Sequence, residues 1–512
     1  MDAILDAVGM IANIKVLFAI FAATFLGLIM GSLPGLTAAM AIALLIPLTF
    51  GMGPVMGIAT LLGAFCGAIA GGAVPAVLLG IPGTPSSVAT TLDGFPMARN
   101  GQAGKALGIV ISSSFVGGIL GAVLLILLSP PIASFALRFG PAEFFSLGIF
   151  GLVIIASVSG GSMLRGLFGG LIGLFLATIG ADPMTGVLRF TGGQPDLITG
   201  INLLPALIGL FAVSQVMQDI IESVNEKAVA PITQNFTSAR PPFRLLAKAW
   251  KIIASSTVIG VVVGAIPGAG GSISSFLSYE QARRMSKTPE KFGKGHHEGL
   301  IATETSNNAT AGGALIPMLT LGVPGEVATA VLMGGLTIQG VRPGPALFNE
   351  QASIVYAIFI AFILANIAMF VLQLGGIRLF VRILKVPSHI MMPLILMFCV
   401  VGVFGVNGSY FELWLMFAFG VLGYFLNRFG FGTAPVILGL ILGSLTESNL
   451  RRGMIVFDGD WSQFVLRPIS ATLLLLSLLF LGMIIYQNRR VPKGVDEPKS
   501  TLDTDKKEQT NE

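Results

Sequence analysis

The sequence predicts an all-α polytopic membrane protein. It predicts two inverted-topology repeats with Pro-Gly re-entrant hairpins and broken helices, making roughly 10–12 membrane segments at about 20 residues per crossing. Three observations carry this. Of 512 residues, 54% are hydrophobic and 11% charged, against about 25% charged in a soluble domain. Apolar windows long enough for membrane helices recur between short polar turns, and they are continuous rather than alternating, which excludes a transmembrane barrel. Finally, each half of the chain is interrupted twice by a Pro-Gly unit, in the same order.

The first interruption is Leu33-Pro34-Gly35, between the apolar runs Val16–Met30 and Leu36–Phe50. Each run is about 15 residues, about 22 Å as a helix, which is short of the roughly 30 Å hydrocarbon core. Two short helices around a Pro-Gly turn predict a hairpin that enters the membrane and returns. Val55–Leu79 is long enough to span. It ends in GIPGTPSSVATTLDG (80–94), where two prolines and two early glycines break the helix before it restarts near Ser86.

The second half repeats this order. Ile252–Ile266, PGAGGS and Ile273–Arg283 match the first hairpin, and Ile266-Pro267-Gly268 matches Leu33-Pro34-Gly35. Gly299–Leu321, GVPG (322–325) and the run from Glu326 match the second unit, and Gly161-Ser162 matches Gly408-Ser409. The expected organisation is a first membrane repeat over 16–180 and an extra segment with a basic linker over 181–250. A second, inverted repeat follows over 251–427, then C-terminal membrane segments over 428–488 and a disordered tail over 489–512.

Charge gives the orientation, because Lys and Arg accumulate in cytoplasmic loops. Lys227, Arg240, Arg244, Lys248 and Lys251 precede the second repeat, and Arg283, Arg284, Lys287, Lys291 and Lys294 follow its hairpin. The matching parts of the first repeat hold Lys15 and no Arg, whereas Arg99 and Lys105 follow its second break and Arg342 alone follows that of the second repeat. The expected topology places the N-terminus outside and both the 227–251 segment and the C-terminus in the cytoplasm. Oppositely oriented repeats are a signature of secondary transporters.

Broken helices expose backbone amides and carry partial positive charge at their starts. Non-helical backbone at membrane depth persists where it is buried in protein or lines a water-filled cavity. The four breaks are therefore expected to converge on one polar site near the midplane. The candidate substrate-binding residues are Pro34, Gly35 and Thr37 at the first break and Gly83, Thr84, Ser86 and Ser87 at the second. Gly268, Gly270, Gly271 and Ser272 follow at the third, with Asn307, Asn308 and Gly325 around the fourth. Glu304, Asn307, Asn308, Thr310 and Glu326 are candidates for a coupling cation, since an ionisable group within a membrane segment is a functional candidate by default. Two bland readings stand beside these: Glu326 as an acid at a helix N-terminus, and Glu304 at a basic rim paired with Lys.

His296 and His297 follow a basic run and read as a solvated loop, while Asp182 and Glu447 end apolar runs and read as interfacial. Cys66 and Cys399, both in apolar runs, support neither a disulfide framework nor a zinc site. The net charge of +5 reflects topology rather than nucleic-acid binding. No basic n-region with a cleavage site marks a removable signal peptide. No HExxH motif or paired catalytic His and nucleophile marks an intramembrane enzyme. A Walker A loop is missing too, since Ala106 follows Gly104-Lys105 where Ser or Thr belongs. A channel built on broken helices remains the alternative to a transporter.

GSLPGLTAAMAIALLIPLTF (31–50), GIPGTPSSVATTLDGFPMARNGQAGKALG (80–108), GAIPGAGGSI (264–273) and HHEGLIATETSNNATAGGALIPMLTLGVPG (296–325) together resemble the large membrane subunit, the TctA family, of the bacterial tripartite tricarboxylate transporters. The resemblance implies import of a tricarboxylate or related carboxylate across the inner membrane. It also implies a small membrane subunit and a periplasmic solute-binding protein as partners. It implies symport with Na⁺ or H⁺ as coupling ion, without ATP or another cofactor.

Overall fold

The computed structural model describes residues 2–158, 163–223, 239–384 and 388–490. The expected match at Gly161-Ser162, the basic Lys227 and the tail beyond Arg490 lie outside the described residues.

The first half opens with α1 (Asp2–Ile11) and the hairpin of α2 (Ile14–Ser32) and α3 (Ala38–Thr49). The Thr37 hydroxyl caps α3, accepting the Met40 N–H at 3.3 Å. α4 (Pro54–Gly71) begins with proline, whose missing N–H costs nothing at a helix start, and passes through Gly72 into α5 (Ala73–Leu78). The helix then breaks. A single 3₁₀ turn at Pro85–Ser87 leads into α6 (Val88–Met97), a kink at Gly101 and the long α7 (Ala103–Ala136). α8 (Pro141–Val158) and α9 (Met163–Ala177) precede a small antiparallel ribbon, β1 (Gly180–Ala181) with β2 (Leu188–Arg189), in which Gly180 faces Arg189. α10 (Leu203–Leu207) continues through a π turn, Ile208–Val213, into α11 (Ser214–Ser223).

After α12 (Phe243–Lys248), the second half has the hairpin of α13 (Trp250–Ala265) and α14 (Gly270–Met285), then α15 (His297–Leu321), the GVPG break and α16 (Val327–Ile338). α17 (Leu347–Glu350), α18 (Ala352–Ile383), α19 (Ser388–Asn407), α20 (Tyr410–Arg428), α21 (Ala434–Val456), α22 (Gln463–Leu466) and α23 (Pro468–Arg490) complete the chain. Among the described residues, seven helices are long and apolar enough to cross a membrane, and shorter apolar helices such as α3, α13 and α16 accompany them. The protein is an all-α, multi-pass membrane protein. α4 is buried along nearly its whole length, whereas α19 turns Ile390, Leu394, Met397, Phe398 and Val401 outward, as a lipid-facing helix does.

Glycines set the packing. In lipid, helices associate through close van der Waals contact rather than hydrophobic expulsion, and small residues allow that approach. A Cβ on Gly27 of α2 would lie 2.3 Å from the Ala64 carbonyl oxygen of α4, and one on Gly31 2.0 Å from that of Ala68. In the second half, a Cβ on Gly260 of α13 would lie 2.5 Å from the Ser306 carbonyl oxygen of α15, and one on Gly264 2.5 Å from that of Thr310. Both pairs run in the same direction, and both use a GxxxG spacing.

The direction of each helix follows from such contacts. α4 and α18 run the same way, since Asn366 reaches the Cys66 Sγ and Gln373 reaches the Ala70 carbonyl. α18 runs against α7, with Phe370 stacked on Phe115 and Asn366 beside Gly118. α7 runs with α15, with Gly117 against Thr305 and Gly121 against Ala309. The equivalent helices α4 and α15 therefore run in opposite senses. The halves also exchange helices: α11 and its π turn pack on α20, and α21 packs on α8 and α9.

One local expectation changes. His296 is 7% exposed rather than solvated. It caps α15 by accepting the Glu298 N–H on Nδ1, pairs through Nε2 with Thr288, and stacks between Phe292 and His297. The Asp93 carboxylate of α6 accepts the Gly295 and His296 N–H groups at 2.8 and 2.7 Å, which ties this loop to the first half. Asp182 and Glu447, the two acids that end apolar runs, are joined in space. They join Arg189 and Arg451 in one ionic network between the ribbon and α21, with Arg451 Nη2 2.9 Å from Glu447 Oε1. Amides of Met184 and Thr185 and the Arg451 guanidinium bond the Asp182 carboxyl and hold it down from 3.8 to about 2.

A polar cavity at the broken helices

A cavity of about 640 Å³ lies where the interruptions meet. The first hairpin supplies Thr37, Ala38 and Met40, and the second break supplies Thr84, Pro85 and Ser86. The opposite hairpin supplies Gly268, Gly270, Gly271 and Ser272, and α15 and α16 supply Asn307, Glu326 and Val327. Gly270 has a φ of +59°, a left-handed conformation that a side chain would strain. At Gly271 the two halves converge. A Cβ there would lie 2.7 Å from Asn307 Oδ1 and 2.7 Å from the Ser86 Cβ, so residues of both halves meet against bare backbone.

Four helices of twelve or more residues begin at this cavity: α3, α14, α16 and α21, with Ala38, Gly270, Val327 and Ala434 all in its wall. Each N-terminus carries about half a positive charge on N–H groups that lack helical acceptors. The wall contains no Lys or Arg, and Glu326 is its one acid among the described residues. The Glu326 carboxylate sits against the Gly270–Gly271 backbone, and its own N–H donates to the Thr329 hydroxyl at 3.0 Å. Asn307 is 2% exposed, and its Nδ2 has no protein partner. A buried amide donor left unpaired is costly unless a ligand or water accepts from it.

Of the candidates from sequence, Thr37, Thr84, Ser86, Gly268, Gly270, Gly271, Ser272, Asn307 and Glu326 form the wall. The others lie elsewhere. Pro34 and Gly35 are exposed at the hairpin tip, with Gly35 beside the Asp219 carboxylate. Gly83 and Gly325 are packing contacts: a Cβ on either would lie 2.2 Å from a hairpin carbonyl oxygen, that of Gly31 or of Gly264. Ser87 is buried behind Thr84, 3.0 Å from its hydroxyl.

The remaining cation candidates form a buried polar layer beneath the wall. Glu304 is fully buried, not at a rim. Thr90 donates to its Oε1 and Ser114 to its Oε2, the latter at 2.9 Å. Asn308 Nδ2 donates to the Glu304 carbonyl at 3.0 Å, and Thr310 pairs with Ser274 at 2.7 Å.

Sequence reasoning missed one side of the cavity. Ser214 and Gln215 of α11, and Asn427, Gly430, Gly432 and Thr433 around the α20–α21 turn, complete the wall. The polar pair Ser214-Gln215 closing an apolar run, and the GFGT of 430–433, are the signals that could have found it.

Membrane helices interrupted around a shared polar cavity define a transport protein. The family model for the tripartite tricarboxylate transporter TctA family matches residues 17–438. The chain belongs to that family, which is one of transporter subunits and not of enzymes, and whose members work as parts of tripartite systems. Two curated relatives come from Agrobacterium vitis. An uncharacterized 52.8 kDa protein in the TAR-I ttuC' 3' region is 37% identical over 430 residues, covering 84% of this chain and 85% of its own. An uncharacterized protein in the TAR-II ttuC' 3' region is 38% identical over 220 residues, covering 43% of this chain and 91% of its own. No solved structure matches the chain.

Proposed function

We propose that this protein is the translocating subunit of a secondary active transporter that imports a tricarboxylate or related carboxylate across the bacterial inner membrane. In this reading a periplasmic solute-binding protein feeds it, a small membrane subunit accompanies it, and a Na⁺ or H⁺ gradient drives it. Its C-terminus is cytoplasmic. The observation that carries the reading is the set of four helix N-termini around one cavity without Lys or Arg. Such a wall suits an anion, which takes hydrogen bonds from free amides. The hydroxyls of Thr37, Thr84 and Ser86 and the unpaired Asn307 Nδ2 add neutral donors.

Glu326 supplies the coupling logic. A substrate carboxylate entering this cavity meets a second carboxylate, and two like charges at close range are unfavourable. A co-bound cation, or a proton on Glu326, removes that conflict, so anion and cation enter together. The opposite senses of α4 and α15 support inverted repeats, which let one arrangement of helices open to either face in turn.

Uptake into proteoliposomes holding the transporter and its partner subunits tests the reading. Accumulation of a carboxylate against its gradient, abolished when the Na⁺ and H⁺ gradients are collapsed, is expected. Conductance that merely equilibrates the solute would identify a channel instead.

A further inference from the structure

A second cavity, of about 760 Å³, lies on the far side of the GVPG break. α21 connects the two. Pro435 lines the first, whereas Leu445, Asn449 and Arg452 line the second, about 15–25 Å further along at 1.5 Å per residue. The second cavity is walled on one side by the loop from Gly340 to Leu347 and on the other by α21 and the end of α7. Two arginines line it, Arg342 on the loop and Arg452 on α21.

Neither arginine has an acidic partner among the described residues. The contrast with the neighbouring residue is direct: Arg451 is bound by Asp182 and Glu447, while Arg452 lines the cavity unpaired. Glu350 also lines this cavity, with Asn449 and Gln351 as neutral groups, but it forms no ion pair with either arginine. The loop bearing Arg342 is seated on the GVPG break itself. The Gly344 N–H donates to the Leu319 carbonyl at 3.0 Å, and a Cβ on Gly322 would lie 3.0 Å from the Pro343 carbonyl oxygen. Leu321 forms part of this cavity's wall and Glu326 part of the first, so one short segment of backbone separates them.

We infer that this second cavity is an anion-docking vestibule in which Arg342 and Arg452 receive a di- or tricarboxylate before it passes the Leu321–Glu326 segment to the helix N-termini. Guanidinium groups suit this step because each offers a fork of donors matched to a carboxylate. Two of them lining one cavity suit a solute with more than one carboxylate. The inference rests on the carboxylate reading above. In the proposed orientation the vestibule opens outward.

Arginine-selective labelling of the detergent-purified full-length protein with phenylglyoxal, read by mass spectrometry, tests it directly. Citrate is expected to slow modification of Arg342 and Arg452 while leaving the exposed Arg284 unaffected, and sulfate to protect less. In proteoliposomes, the double variant Arg342→Gln with Arg452→Gln is expected to raise KM for carboxylate uptake about tenfold, the loss of a charge-assisted hydrogen bond, with Vmax kept.

Unchanged labelling rates beside intact wild-type uptake would overturn the vestibule and leave the transport reading standing. Protection by citrate in a protein that accumulates none of a panel of di- and tricarboxylates would overturn the transport reading and support the vestibule. Equal protection by sulfate, or a double variant that melts earlier yet keeps its KM, would reduce the arginines to balancing helix ends and overturn the inference.

Discussion

The Gly325 Cα stands so close to Gly264 that a Cβ on it would fall 2.2 Å from the Gly264 carbonyl oxygen. This contact presses the GVPG break onto the tip of the α13–α14 hairpin, and the Gly268 N–H reinforces it by donating to the Gly325 carbonyl at 2.7 Å. Gly325→Ala should therefore force backbone apart and destabilise the protein by about 1–3 kcal/mol. Gly83→Ala, at the matching contact with Gly31, should do the same. Thermal unfolding in detergent measures both, and a melting temperature equal to wild type in either variant would refute the contact.

Asn307→Ala removes a buried amide of the cavity wall whose Nδ2 has no protein partner. The expected outcome is a ten- to hundredfold weaker affinity for the transported carboxylate, about the value of a hydrogen bond to a charged group, with no loss of melting temperature. Asn308→Ala, which only removes a bond to the Glu304 carbonyl, should leave affinity near wild type. Equilibrium binding on the two variants checks this difference.

Glu326→Gln keeps the shape of the wall and deletes its charge. Carboxylate counterflow, which needs no driving gradient, should persist, while accumulation driven by Na⁺ or H⁺ should fail. If gradient-driven accumulation survives in this variant, Glu326 is not the coupling group.

The Asp182 network predicts a pH dependence with a definite sign. The folded carboxyl is held at about 2 against an ordinary 3.8. Its contribution to stability is therefore complete above pH 3.8 and is lost as pH falls toward 2. The difference in melting temperature between wild type and Asp182→Asn should stay constant from neutral pH to about pH 4 and shrink below it, as followed by thermal unfolding across the acid range.

Sequence patterns reveal the interruptions better than the side of each interruption that faces the cavity. Leu33-Pro34-Gly35 and GIPG mark bends because proline and glycine stop helices and because the flanking runs are too short to span. Yet Pro34, Gly35 and Gly83 turn toward surface or packing, while Thr37, Thr84 and Ser86, where the next helix begins, reach the cavity. At the first two breaks the wall is made by residues after the bend, where the next helix begins, whereas at the third Gly268 of the bend itself also lines it. The contribution of Ser214, Gln215 and Thr433 stayed hidden because it arises from packing between distant segments, with no local signal beyond a polar pair after an apolar run and the GFGT of 430–433. The GxxxG pairs Gly27–Gly31 and Gly260–Gly264 were visible all along. Each pair packs two helices within one half, α2 on α4 and α13 on α15, a meaning that depends on which helix each one meets.

The exchange of α11 and α21 between the halves has a consequence for biogenesis. As the chain leaves the ribosome, α9 is made long before α21, whose Val436 carbonyl will later lie against Gly173. α20 in turn must find the π turn of a segment already inserted. Two separately expressed halves should therefore reach the membrane intact only when they are made together.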